Sequence, residues 1–232
     1  MRFCWFLTFE DASGTTRLSA ADKANIAGLV AATPDLVAAD IHTPASASDI
    51  YTADGPSPPL VLQLYFEDLT HLEPALAADG HLREIARPGA FPSLAGAKAT
   101  HQAMYARHFE VAEPTAKDKP RCSFLVSYPG EADDLNAWLN HYVASHPPIM
   151  RRFPGIRQIE LLSRVDWIDA LPIERATAMQ RNRVVFDTPQ ALTAALQSPV
   201  RHELRADYHR FPPFSGGSLH FPMWTETIVP AL

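Results

Sequence analysis

The chain repeats itself at an interval of 118 to 120 residues, and this repeat constrains its fold more than any other feature. Residues 3–7 (FCWFL) align with residues 121–125 (RCSFL), and three further matches follow in the same order. Those matches pair residues 34–36 with 154–156, residues 65–76 with 185–196, and residues 101–105 with 220–224. We therefore predict two related units, over residues 1–112 and 121–232, joined by a linker at residues 113–120.

The residue pattern of the second unit predicts an alternation of strands and helices. Apolar side chains recur there at steps of three and four, which is helical periodicity, at Leu135, Trp138, Leu139, Tyr142, Val143 and His146. Pro147 and Pro148 are expected to end this helix. The full pattern predicts strands at residues 121–128, 156–168, 180–187 and 218–229, and helices at residues 131–146 and 188–208.

This order, β-α-β-β-α-β, is typical of a ferredoxin-like unit, in which helices cover one face of an antiparallel sheet. The first strand has apolar residues on both faces, because Trp5 and Leu7 alternate with Cys4 and Phe6. Both faces of the sheet must therefore be covered. We predict an α+β protein: two ferredoxin-like repeats whose antiparallel sheets face each other as an intramolecular barrel, with the helices outside.

Composition excludes several classes of protein. The chain has 26 acidic and 20 basic residues, a net charge of −6, and no run of Lys or Arg, so neither nucleic acid nor a membrane surface is an expected partner. No apolar run approaches a membrane span and no cleavable leader is apparent, which predicts a cytoplasmic protein. Cys4 and Cys122 lie in apolar runs and are expected to be buried free thiols. No nucleotide-binding or metal-ligand spacing occurs, so no cofactor or metal is expected.

One stretch resembles a known family. Residues 138–150 (WLNHYVASHPPIM), followed by residues 153–156 (FPGI) and later by residues 186–192 (FDTPQAL), resemble the EthD-like family of the dimeric α+β barrel superfamily. The resemblance covers residues 121–229 directly, and the first unit only through the repeat. It implies a homodimer-like pairing and a pocket between sheet and helices for a small aromatic or lactone-like molecule. The pairing is expected within this one chain, and a further homodimer is possible.

The resemblance points to His146 as an acid–base catalyst. His146 shares an apolar helix stripe with Tyr142, so its imidazole is expected to face the sheet, where it can transfer protons near neutral pH. The alternative is a helix-terminal histidine that caps its own carbonyl groups. Tyr142 and Asn140 are the other predicted catalytic residues, although a core tyrosine and a solvent-facing asparagine are equally ordinary interpretations.

Five further residues are predicted to bind the substrate: Trp138, His141, Asp207, His220 and Trp224. Trp138 offers a stacking surface or, alternatively, an anchor between helix and sheet. Asp207 is a carboxylate that can orient an imidazole. His220 and Trp224 recur at the repeat positions of His101 and Tyr105, whereas the first unit has no counterpart of His146. The sequence therefore predicts one asymmetric pocket.

Three functions remain open from the sequence. The first is a cofactor-independent isomerase, cyclase or lyase that acts on an aromatic-catabolism intermediate or a lactone. The second is a cofactor-free monooxygenase of phenols or hydroquinones. The third is a non-catalytic accessory protein that binds a small molecule or haem. Fold analogy alone does not choose between them.

Overall fold

A computed structural model describes residues 3–114 and 119–229 of the chain. Residues 115–118 of the predicted linker lie outside the described residues. The strands are β1 (Phe3–Glu10), β2 (Ala38–Pro44), β3 (Leu60–Phe66), β4 (Lys98–Phe109), β5 (Arg121–Tyr128), β6 (Gln158–Arg164), β7 (Glu174–Arg175), β8 (Gln180–Phe186) and β9 (Leu219–Val229). The α-helices are α1 (Ala20–Ala31), α2 (Leu69–Leu76), α3 (Leu135–Met150), α4 (Pro189–Leu196) and α5 (Pro199–Tyr208), and short 3₁₀ helices span His81–Ala86 and Pro92–Leu94.

Eight of these strands form one closed antiparallel barrel. The strand order is β1-β3-β2-β9-β5-β8-β6-β4, and β4 pairs with β1 to close the ring. Two ladders join the halves of the chain: β2 pairs with β9 from Ala39 opposite Val229, and β4 pairs with β6 from Met104 opposite Arg164. The two-residue strand β7 pairs in parallel with Thr100 and His101 of β4, ahead of the part of β4 that pairs with β6.

The predicted fold, two ferredoxin-like repeats with facing sheets, is therefore wrong. The strands of the two halves hydrogen-bond edge to edge into a single closed barrel, with a few helices packed outside it. The physical reason is that an open sheet leaves unpaired backbone groups on its edge strands, and closure pairs them. The division of the chain into units at residues 113–120 stays a prediction.

Most of the predicted elements of the second half are confirmed. Strand β5 has its expected bounds, β8 and β9 differ from theirs by one residue, and the predicted helical region at residues 188–208 forms α4 and α5. Helix α3, however, continues through Pro147 and Pro148 to Met150. Its backbone hydrogen bonds resume after the two prolines, where the Arg151 amide donates to the Pro147 carbonyl at 3.0 Å. Strand β6 ends at Arg164, four residues before its predicted end.

Alternation along the strands divides the protein into an interior and two outer layers. Strand β1 confirms the expected pattern: Trp5 and Leu7 pack outside the barrel against the layer of α1 and α2, while Cys4 and Phe6 point into it. Both cysteines are buried free thiols, as expected. The second outer layer consists of α3, α4 and α5 on strands β5, β6 and β8. Among the described residues no helix combines the length and apolarity needed to cross a bilayer.

The barrel interior contains a charged network as well as apolar side chains. Asp40 accepts hydrogen bonds from Arg183 at 2.6 Å and from Arg121 at 2.9 Å, and Tyr65 donates to Glu160 at 2.8 Å. These groups are nearly all withdrawn from solvent. Buried charges persist when they are paired in this way, so this network is a structural feature of the barrel.

Candidate functional site

Helix α3 places His146 over the second half of the barrel. The helix begins at the N-cap Asp134, whose carboxylate accepts the Ala137 amide at 2.9 Å, and its buried stripe includes Trp138, Tyr142 and His146. His146 is only 6% exposed. Its Nδ1 lies 2.8 Å from Oδ2 of Asp207, a residue near the end of α5.

Asp207 is the centre of a small polar cluster. Its side chain is inaccessible to solvent, and it also accepts a hydrogen bond from the Ser145 hydroxyl at 3.0 Å. Arg210 and His141 lie 3.3 and 3.4 Å from its other oxygen. Burial raises the pKa of Asp207, but the hydrogen bonds and the charge of His146 outweigh this effect and lower it to about 2. Asp207 is therefore an anion at neutral pH.

This environment fixes the protonation state of His146. Burial lowers the pKa of the imidazole below its ordinary value, and the neighbouring Asp207 offsets part of that effect. The ring is thus neutral near pH 7. Because an ionised carboxylate only accepts hydrogen bonds, the single ring proton lies on Nδ1, and Nε2 carries a free electron pair. Nε2 has no hydrogen bond to any residue in the described part of the chain.

His146 lines a pocket between the barrel wall and the helices. The pocket is small, with a cavity volume of about 40 Å³. Its walls are mostly apolar, from Phe124 and Val126 on β5 to Met150 on α3, with Asn182, Arg201 and His220 as further polar groups. A small, mostly apolar molecule with one or two polar atoms fits this lining.

A second histidine–carboxylate pair faces the same pocket. His220 Nδ1 lies 2.7 Å from Oδ2 of Asp54, which also accepts the backbone amide of His220 at 2.9 Å. The imidazole stacks on Phe124 with the ring centroids 5.5 Å apart. Burial lowers the pKa of His220 as well, so two neutral imidazoles border one cavity.

Asp54 belongs to the connection between β2 and β3, residues 45–59, which we call the first strap. This strap leaves the first half of the chain and crosses onto the helices of the second half. Arg201 of α5 binds Asp49 of the strap at 2.8 Å, Tyr51 contacts His202, and Ser57 donates to the Pro222 carbonyl at 2.9 Å. The first strap therefore binds two of the residues that line the pocket, Arg201 and His220, without lining the pocket itself.

The structure brings three of the predicted site residues together and separates the rest. His146 and His220 line the pocket, and Asp207 binds His146 rather than the cavity. His141 lies behind Asp207, at its other oxygen. The remaining predicted residues do not line the pocket: Tyr142, Trp138, Asn140 and Trp224.

Each of those four residues has another position. Tyr142 is buried, accepts a hydrogen bond from Asn182 at 2.6 Å and stacks on Trp138, which is itself fully buried in the outer layer. Burial raises the pKa of the Tyr142 phenol well above its ordinary value, which keeps it protonated. Asn140 is exposed on the solvent side of α3, and Trp224 lies on β9, 37% exposed. The catalytic and binding roles of these residues stay predictions.

Sequence reasoning missed the residues of the first strap. Asp49 and Asp54 lie in a stretch rich in Ala, Ser and Pro that resembles an ordinary surface loop. Their partners are 152 and 166 residues away, so no local pattern links them. The sequence signal that could have identified these residues is the presence of two carboxylates in a strap that has no other charged residue. Among the described residues no cluster of three or more His, Cys, Asp and Glu is placed to hold a metal ion.

No family model matches the chain, and no curated protein matches it. Solved structures do. An anthrone oxidase-like protein matches with a TM-score of 0.61 at 12% identity and covers 100% of this chain and 95% of its own. A "putative monooxygenase" of Fusobacterium nucleatum matches with a TM-score of 0.53 at 6% identity, covering 97% of this chain and 91% of its own.

A second "putative monooxygenase", from Lactobacillus acidophilus, matches with a TM-score of 0.51 at 8% identity over 97% of this chain and 94% of its own. At this level of identity the likeness shows a shared fold. Membership of the dimeric α+β barrel superfamily and of its EthD-like family, and the tandem repeat, stay predictions.

Proposed function

We propose that the protein is a small-molecule enzyme that moves protons on its substrate with its own side chains, and that His146 is the general base. One observation carries the proposal: a neutral imidazole is held at Nδ1 by the buried carboxylate of Asp207, 2.8 Å away, beside an apolar pocket. A neutral imidazole that is held at one nitrogen can accept a proton at the other. Asp207 acts as a positioning residue that fixes the tautomer.

The pocket lining suits an enolisable or phenolic substrate. Nε2 of His146 removes a proton from an acidic C–H or O–H group, and the charge that develops on oxygen lies near the guanidinium of Arg201. His220, held by Asp54, accepts a hydrogen bond from a substrate hydroxyl. In an isomerisation, the proton taken by His146 returns to a different carbon of the same molecule. The reaction of a muconolactone-type lactone therefore needs no cofactor.

Oxygenation is a second candidate, and the names of three proteins of the same fold favour it: an anthrone oxidase-like protein and two described as monooxygenases. The first step is the same deprotonation by His146. The carbanion then reacts with dioxygen, and a CH2 group plus O2 becomes a carbonyl group plus water. Dioxygen is the oxidant, and the two electron pairs come from the two C–H bonds of the substrate.

The test measures proton exchange before any later step. The protein is incubated without oxygen in deuterium oxide with anthrone, 1-naphthol or muconolactone, and loss of the acidic C–H signals is followed by NMR. We expect exchange with at least one compound, and exchange at background rate with His146→Gln. Admitting air then separates the two candidates, because only the oxygenase consumes dioxygen.

Two results contradict the proposal. One is exchange that is equally fast with His146→Gln and with the unaltered protein. The other is the absence of both exchange and binding for every compound, with the fold intact by circular dichroism. Binding without exchange or turnover would instead support the accessory role of a pocket that only holds its ligand.

A further inference from the structure

A second cavity opens at one end of the barrel. It is larger than the pocket of His146, with a cavity volume of about 280 Å³. Its walls are the inward side chains of the strands, among them Phe6, Val61, Leu125 and Phe221, and its rim includes residues 174–178. The cavity lies on the inner side of strand β8, whereas the pocket of His146 lies on the outer side.

Three cations line this space, Lys98, Arg175 and Arg181, and the last of them lies beside its apolar side chains. Arg181 points into the barrel from β8, and its guanidinium lies over the ring of Phe6, 5.1 Å from the ring centroid. Its Nε is buried without a hydrogen-bond partner. Within the described residues no carboxylate lies within 4.0 Å of it. Arg181 is therefore a half-buried cation without an ion-pair partner, whose buried Nε also lacks a hydrogen-bond acceptor.

The neighbouring Arg183 shows what the barrel does with a buried arginine that has an internal role. Arg183 lies two residues further along β8, on the same inward face, and it donates to Asp40 at 2.6 Å and to Ser123 at 3.0 Å. Burying a charged group without a partner is unfavourable. Arg181 has no such internal partner: it is half-buried at the cavity wall, and desolvation lowers its pKa to about 10. An unmatched group of this kind calls for an anionic partner.

The charges at the rim leave Arg181 available. Lys98 and Glu174 form an ion pair at 2.8 Å, and Arg175 pairs with Asp169. Glu10 is the remaining carboxylate on the lining; it is exposed, and it raises the pKa of Arg181 from a distance. The cavity thus combines one cation that has no ion-pair partner with a lining of apolar and uncharged polar side chains.

We propose that this cavity is a second ligand site, which binds a small carboxylate with an aromatic or branched apolar body. The carboxylate accepts hydrogen bonds from the planar fork of Arg181, and the apolar body packs on Phe6, Leu125 and Phe221. This site is independent of the proposed acid–base chemistry, because it requires neither His146 nor the first strap.

The test uses benzoate as the probe and benzamide as its uncharged match, with calorimetry on the whole protein. We expect benzoate to bind and benzamide to bind at least about tenfold more weakly, since a hydrogen bond to a charged group is roughly twice as strong as a neutral one. Arg181→Gln should weaken benzoate binding by about 10- to 100-fold. His146→Gln should leave benzoate binding unchanged, which separates this site from the pocket.

Three outcomes overturn the proposal. Benzoate fails to bind the unaltered protein, or it binds Arg181→Gln as tightly, or it binds only after Glu10→Gln. The last result would assign Arg181 to an ion pair with Glu10 in solution. If Arg181→Gln does not fold, thermal unfolding of the unaltered protein decides: benzoate should raise Tm and benzamide should not, and equal effects of the two contradict the site.

Discussion

The outer layers of the two halves both contain a histidine beside a carboxylate, but within the described residues only the second layer leaves a cavity next to its histidine. Each half has a histidine beside a carboxylate: His101 Nε2 lies 3.8 Å from Asp169 in the first layer, and His146 lies 2.8 Å from Asp207 in the second. In the first layer, however, His101 also accepts the indole N–H of Trp5 at 3.0 Å. Both ring nitrogens of His101 thus face protein groups, whereas His146 borders a cavity.

The straps account for this difference. Residues 165–179, which we call the second strap, connect β6 to β8 and cross onto the first half, as the first strap at residues 45–59 crosses onto the second. The second strap inserts Trp167, Leu171 and Ile173 into the layer. The first strap contributes only Ala45 and Ala47, and its large apolar residues, Ile50 and Tyr51, remain exposed. A strap of small and polar residues covers the second layer without filling it.

A histidine–carboxylate pair is therefore a candidate site only where packing leaves space beside it. The first half has no counterpart of His146, but each layer holds a histidine–carboxylate pair, and the size of the strap side chains decides which pair a substrate can reach. Replacing residues in one half and their counterparts in the other therefore tests this account.

The largest expected effect is on turnover. His146→Gln removes the proposed base and should lower kcat by about 100- to 10,000-fold in a steady-state assay of the substrate found by proton exchange. The control variant in the filled half, His101→Gln, should leave kcat within about twofold while lowering stability by about 1–3 kcal/mol, because it removes the imidazole that accepts the Trp5 indole N–H. An equal loss of turnover in both variants would remove the distinction between the halves.

The next effect is on stability and concerns the straps. Leu171→Ala in the second strap should cost about 2–4 kcal/mol, because Leu171 is 7% exposed and fills the first layer. Ala47→Gly in the first strap should cost about 1 kcal/mol or less. Chemical denaturation of both variants measures the difference. Similar losses of stability in the two variants would mean that the first strap fills the second outer layer as the second strap fills the first.

A smaller effect is expected from the first strap's carboxylate. Asp54→Asn keeps the shape of the side chain but weakens its hydrogen bond with His220, so kcat/KM should fall by about tenfold. Asp79→Asn, an equal change of charge at an exposed position, should have no effect. If Asp54→Asn is as active as the unaltered protein, the strap covers the pocket without contributing to it.

The smallest effect is a shift in pH dependence. The base must be neutral, so the acid limb of kcat/KM should have its midpoint below the ordinary histidine value of about 6.5, as burial lowers the pKa of His146. Asp207 raises that pKa, so Asp207→Asn should move the midpoint to a still lower pH while also slowing the reaction. A midpoint that moves to higher pH in this variant would contradict the assigned role of Asp207.

Local sequence patterns predicted local structure well. Periodicity located β5, β8, β9 and the helices of the second half, and the helix stripe correctly turned His146 toward the sheet. The extent of α3 was missed, because two prolines near a helix C-terminus remove only two backbone hydrogen bonds, and packing outweighs that loss.

Long-range pairing could not be predicted in the same way. Closure of the barrel depends on the ladders β2–β9 and β4–β6, whose registers are set by tertiary packing. The roles of the Asp54 carboxylate and of the unpaired Arg181 depend on residues that are distant in the sequence and that folding brings close. Their residue types were visible in the sequence, but their partners were not.

The most direct test of the account is nitrogen NMR of the histidine side chains, with and without the ligand identified by proton exchange. The account predicts that His146 is neutral at pH 7 with its proton on Nδ1, and that the ligand shifts its Nε2 signal. It also predicts that the His101 signals do not move. A charged His146 at pH 7, or a ligand that shifts the His101 signals and leaves the His146 signals unchanged, would contradict the role assigned to His146.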